Sequence, residues 1–197
     1  MSEAGKPILI IGNAPITEDI SAEVETYTRV VRFNFCAGMP THLGRKCTDL
    51  WLSARGRQAH KLAHSQLDID PRQLHSLVIT DPEPNPIAQR FFRLLGRRGN
   101  LDHGDALMVK FAGAQTSTRI TALARQQLLT ELLRLGRPDC TPRWPSSGTQ
   151  AIAHFAASGR PVHIIGFGFQ GWKRHPWPLE QRYVAKLQAE GKLSYLA

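Results

Sequence analysis

The chain has 197 residues, of which 42% are hydrophobic and 21% charged. That length suits one domain able to bury about 70% of its unfolded surface, and the composition excludes collagen, coiled-coil and disordered classes. The 25 basic against 16 acidic residues give a formal net charge of +9, which points to an anionic partner or substrate as readily as to a solvated basic surface.

Elements follow in chain order from these residues. Pro7-Ile8-Leu9-Ile10-Ile11-Gly12 is an apolar run closed by glycine, the pattern of a buried parallel strand. Thr17 or Asp19 caps a helix to about Tyr27, with Ile20 and Val24 four apart on one face. Strands are predicted at Thr28–Asn34, Asp49–Ser53 and His75–Asp81, with a basic helix from about Gly56 to Gln66 between the last two. The Pro82, Pro84 and Pro86 cluster ends the fourth strand. Residues 87–98 read as a helix with Ile87, Phe91, Leu94 and Leu95 on one stripe and a basic back face.

The stretch from Gly99 to Gln115 fits strand and helix equally and is taken as loop or lid. Thr116 to Leu135 is predicted as one long amphipathic helix, stopped by Gly136 and Pro138. Ser146-Ser147 caps a helix to about Ser158, Pro161–Gly166 is a second buried strand, Leu179 to Glu190 the last helix and Leu193–Leu196 a terminal strand. Strand and helix alternate throughout, so the expected fold is a single three-layer α/β/α domain over residues 1–197. Its sheet should be Rossmann-like and mostly parallel, with a lid or variable insert at about 82–115.

Cys36, Cys47 and Cys140 have neither CxxC spacing nor even number, so no disulfide framework or zinc site is indicated. The run Ile8 to Ile11 is too short for a signal region or a membrane span, and the expected location is cytoplasmic, with no transmembrane segment. Nucleic acid is disfavoured as a partner: the arginines are scattered and no zinc-finger, RRM or basic-helix signature is present. Asp68-Ile69-Asp70 has DxD spacing but is followed by Pro71 and preceded by no strand, so no metal cofactor is expected.

Candidate site residues sit at strand ends and helix starts, where a parallel sheet gathers ligand groups. Gly12-Asn13 ends the first strand; glycine admits close backbone approach and an Asn amide donates to phosphate or ribose oxygens. Asn34 ends the second strand, beside it at the same sheet edge. Ser146-Ser147-Gly148 opens a helix whose unpaired amides and positive dipole end suit an anion. Gly166-Phe167-Gly168-Phe169 lets the chain run close to a ligand. His175, with Glu180 five positions on, could be a base with its orienter or a helix cap.

As a set these segments resemble glycosyltransferase family 29, the sialyltransferases. The large sialylmotif is similar to Ile10-Ile11-Gly12-Asn13-Ala14-Pro15, then Arg32-Phe33-Asn34, then Leu43 to Trp51. The small motif is similar to Pro145-Ser146-Ser147-Gly148-Thr149-Gln150-Ala151-Ile152 running to Val162–Phe169, and the very small motif to His175 and Glu180. The resemblance covers roughly residues 7–55 and 143–196. It implies a GT-A-like domain, in a compact bacterial-type member, that binds a CMP-activated sugar such as CMP-sialic acid and transfers it to a glycan or glycoconjugate acceptor. Transfer would be inverting and metal-independent, with His175 as general base. Asn13 and Asn34 would bind phosphate and ribose, and Ser146, Ser147 and Gly148 the donor through the helix start. Gly12, Gly166 and Gly168 would leave room for it, and Glu180 would be structural.

Two departures from the family pattern stand out. The strand before Gly12 has no cysteine for the family's disulfide, and the aromatic and histidine motif before the very small motif is not recognisable in Gln170–Arg174. Lys173 and Arg174 are the basic residues there. The alternatives are therefore transfer of another CMP-ulosonic acid such as CMP-Kdo, or a noncatalytic nucleotide-binding accessory protein.

Overall fold

A computed structural model describes residues 5–139, 141 and 144–196. Met1 to Ala4 and Cys140 lie outside the described residues. Seven strands form one sheet: β1 (Ile8–Ile11), β2 (Arg29–Phe33), β3 (Asp49–Leu52), β4 (Ser76–Ile79), β5 (Thr116–Arg119), β6 (Val162–Ile165) and β7 (Leu193–Tyr195). Their order is β5-β4-β3-β2-β1-β6-β7, and every pairing is parallel. The α/β fold expected from the alternating pattern is the one observed.

Helices α1 (Ser21–Thr26), α2 (Gly56–His64), α3 (Pro86–Leu94) and α4 (Gly104–Lys110) lie between β1 and β5; α5 (Ala122–Leu133) and α6 (Ser147–Ala156) precede β6, and α7 (Trp177–Ala189) precedes β7. Strand order decides their sides. β1 to β5 step outward in one direction, whereas the chain then returns to the far side of β1, so right-handed crossovers put the two helix sets on opposite faces.

The strands alternate accordingly. Ile8, Ile10, Val31, Phe33 and Trp51 pack against Leu128 and Leu132 of α5, Ile152 and Phe155 of α6, and Val184 and Leu187 of α7. Their neighbours turn the other way, Leu9, Ile11 and Val30 onto Val24 of α1, and Leu50, Leu52, Leu77 and Ile79 onto Leu62 of α2, Leu107 of α4 and Phe111 just after it. Both faces of the central strands are covered, which is why β1 reads as a continuous hydrophobic run and its neighbours are apolar at most positions. Cys36 and Cys47 are buried free thiols, and hydrogen bonding to Cys36 together with burial pushes the Cys47 thiol well up.

The structure corrects two predicted elements. The helix expected from Thr116 to Leu135 is an edge strand, β5, followed by α5, which Thr121 caps by accepting from the Ala124 amide at 3.1 Å. The stretch taken as loop or lid holds α4, with Leu107 and Phe111 in the core.

Candidate functional site

β1 and β6 run side by side but are reached by connections leading in opposite directions along the sheet. Such a switch point leaves a crevice beyond the carboxyl ends of the strands. Gly12 and Gly166 occupy those two ends. The Gly12 amide donates to Ile165 O at 2.8 Å and the Ala14 amide to Gly166 O at 2.9 Å, so the loops cross in direct contact. A Cβ on Gly12 would lie 2.1 Å from Gly166 O, and Gly166 has φ +72°. Only glycine fits either place. Above them opens a cleft of about 1140 Å³.

Asn34 follows β2 in the left-handed region, φ 52°. Its Oδ1 accepts from the Ser53 amide at 2.9 Å, which spends the oxygen and leaves the NH₂ as the donor end on the cleft wall. Next along the strand ends, buried Asp81 accepts from Ser53 Oγ at 3.0 Å and the Ala54 amide at 2.8 Å, and pairs with Arg125 at 3.3 Å. The Arg125 guanidinium lies 4.3 Å from the centre of the Trp144 ring.

The start of α6 forms another wall. Glu180, wholly buried on α7, accepts from the Ser146 amide at 2.8 Å, Ser146 Oγ at 2.6 Å and Thr149 Oγ1 at 2.6 Å. Ser146 Oγ in turn caps the helix by accepting from the Thr149 amide at 3.2 Å. The Ser146 hydroxyl is thus engaged within the protein. Ser147 Oγ meets Thr80 Oγ1 at 3.0 Å. The Ser147 and Gly148 amides have no acceptor among the described residues, so they remain directed beyond the helix end, on the cleft side. A Cβ on Gly148 would lie 2.7 Å from Phe167 Cε1, so that ring would have to shift to admit one.

His175 Nδ1 lies 2.9 Å from Trp144 O. A carbonyl only accepts, so Nδ1 carries the proton and Nε2 the lone pair of the neutral ring. Trp172 and Trp177 pack edge-to-face on the imidazole at 4.9 and 5.0 Å between ring centres.

All ten residues singled out from sequence, Gly12, Asn13, Asn34, Ser146, Ser147, Gly148, Gly166, Gly168, His175 and Glu180, line this one cleft. Lys173 and Arg174 do not; they are exposed outside it. Cationic lining comes instead from Arg55, Arg57 and Arg97, which the sequence analysis did not single out, as it did not Ser53, Thr80 and Asp81. The position of Thr80-Asp81 at the end of a predicted strand was the available signal. Among the described residues, no group of three or more His, Cys, Asp or Glu is placed to hold a metal ion. None of their helices is long and apolar enough to cross a membrane.

No protein-family model matches the chain. It is 31% identical over 207 residues to the urease operon 23 kDa accessory protein of Rhizobium meliloti (strain 1021), covering 98% of this chain and 94% of that one. The chain belongs to that accessory protein's family. Its fold is shared with solved mammalian sialyltransferases. One, in complex with Gal-beta-1-3GalNAc-ortho-nitrophenol, superposes with a TM-score of 0.62 at 12% identity, covering 98% of this chain and 69% of the other. A second mammalian sialyltransferase structure gives 0.61 at 11% identity over the same shares. This member of the accessory-protein family is thus sialyltransferase-like in fold.

Proposed function

We propose that the chain is a noncatalytic accessory protein that uses a sialyltransferase-like fold to bind a pyrimidine nucleotide, CMP or a CMP-activated sugar, in the switch-point cleft. The observation that carries this reading is the pair of Ser147 and Gly148 amides, without a protein acceptor, at a helix start lining the cleft. They would take the phosphate. The Asn13 and Asn34 amides would donate to phosphate and ribose, and Gly166 and Gly168 would leave room for the base. The accessory-protein relative favours binding over turnover.

A second reading, inverting transfer of a CMP-sugar or CMP-Kdo to a glycan acceptor, is favoured by one feature. With Nδ1 held by Trp144 O, the lone pair on Nε2 is in the form a general base needs. Neither reading calls on a metal.

Thermal-shift titration with CMP, UMP, GMP and AMP, followed by incubation with CMP-sugar, separates the possibilities. CMP should stabilise selectively, by about 2.7 kcal/mol at a hundredfold excess over its Kd, with or without EDTA. The CMP-sugar should remain intact. Equal shifts from all nucleotides, or none, would sink the nucleotide assignment; release of CMP that disappears in His175→Ala would favour the transferase.

A further inference from the structure

Helix α3 carries an apolar stripe that is largely exposed among the described residues. Ile87, Phe91 and Leu94 recur at i, i+4 and i+7 and are 78%, 56% and 86% exposed, with Leu95 beside them at 50%. No residue of α3 is buried. Its inner side consists of Ala88, Gln89 and Phe92, each partly covered, and Gln89 ties it by hydrogen bonds to Asn100 O (3.3 Å) and the Asp102 amide (2.9 Å). The helix is nevertheless well specified. Asn85 caps it by accepting from the Ile87 and Ala88 amides, and Pro86 occupies its first turn.

Charge on this segment is of one sign. Arg90 and Arg93 stand exposed on α3, Arg97 follows it, and no Asp or Glu occurs between Glu83 and Asp102. Contiguous large apolar side chains on a soluble surface mark an interaction site. An exposed helix face with Phe, Leu and Ile flanked along one side by arginines is built for a surface that is anionic outside and apolar beneath.

We propose that α3 docks on an anionic lipid bilayer, with Ile87, Phe91, Leu94 and Leu95 entering the headgroup and acyl boundary while Arg90, Arg93 and Arg97 meet lipid phosphates. Charge complementarity selects this occupant. A second copy would bring two arginine-rich helices of a +9 chain together. A neutral apolar partner would leave the arginines unmatched. The stripe is a projecting helix face rather than a groove, which suits a soft planar surface better than an acidic protein segment. The inference does not rest on the nucleotide reading. It does place the cleft: Phe92 of α3 and Arg97, Gly99 and Asn100 just after it line the cleft, so docking brings its mouth to headgroup level.

Co-sedimentation with vesicles tests this directly. The full chain should bind phosphatidylcholine vesicles that contain phosphatidylglycerol, leave pure phosphatidylcholine vesicles unbound, and dissociate as salt is raised. Phe91→Glu with Leu94→Glu should lower partitioning at least about tenfold. Arg90→Gln with Arg93→Gln should lower it about 25-fold, at roughly fivefold per arginine. Melting temperatures should not change, because none of these side chains is buried. Several results would overturn the proposal: wild-type partitioning by the Phe91/Leu94 variant, equal binding to neutral vesicles, or none to anionic ones. So would a concentration-dependent dimer that the same variant abolishes, or saturable binding to polyglutamate without any to vesicles.

Discussion

Removing the Glu180 carboxylate should loosen α6 and the cleft together. Three donors converge on it, the Ser146 amide, Ser146 Oγ and Thr149 Oγ1, and the residue is wholly buried. In Glu180→Ala the hydroxyls can re-aim, but the Ser146 amide cannot, and an unpaired buried donor costs about 1–3 kcal/mol. Loss of the charge-assisted bonds and of the packed side chain brings the expected destabilisation to about 3–5 kcal/mol. For a chain of this size that is a fall of roughly 10–15 °C in melting temperature. Glu180→Gln keeps the shape and one acceptor oxygen, with its amide group facing hydroxyls that can turn to accept, so about 1–2 kcal/mol is expected. Urea unfolding of the three proteins followed at 222 nm measures the difference. If alanine and glutamine cost the same, or alanine unfolds within a few tenths of a kcal/mol of the native chain, the carboxylate is not what holds the start of α6.

Two other perturbations have signs set by the structure. Gly12→Ala puts a methyl 2.1 Å from Gly166 O, against backbone that cannot rotate away, so a loss of about 2–3 kcal/mol is expected by chemical denaturation. A near-neutral result would show that the β1 and β6 ends are not in contact in solution. His103 is held below the usual imidazole range, first by burial and then by the nearby His60 and His64, against the pull of Asp102. Its folded state therefore resists protonation, and the stability it confers is complete above about pH 6.5 and is lost as pH falls through the folded value. His60, whose ring is 5.1 Å from His103, adds to that loss, so His60→Gln should lose less melting temperature than wild type between about pH 7.5 and about pH 5. An equal loss would place the acid sensitivity elsewhere.

Legibility in the sequence followed covering. β1 was plain because a strand buried on both faces is apolar at every position, and β6 departs from that pattern only at half-buried His163. β5 was missed for the opposite reason: Thr116, Ser117 and Thr118 are exposed at the sheet edge, and four polar residues before a helical pattern look like its first turn. The stripe of Ile87, Phe91 and Leu94 was recognised as helical, but periodicity alone does not say whether a stripe faces core or solvent. In the cleft, the glycines and the Ser146-Ser147 cap announced themselves through backbone requirements. Asp81 did not, since its partners Ser53, Ala54 and Arg125 come together only through the sheet order.

That order also fixes when the crevice can exist during synthesis. Ile8 of β1 pairs with Arg29 on one side and with Val162 on the other, so one flank of β1 stays open while β2 to β5 emerge and join the growing sheet. The carboxylate that organises the start of α6 arrives later still, at Glu180. A nascent chain lacking its last quarter presents an unpaired β1 edge and no crevice at all, so truncation short of β6 exposes β1 to pairing with other chains, whereas truncation short of α7 leaves β6 as the open edge.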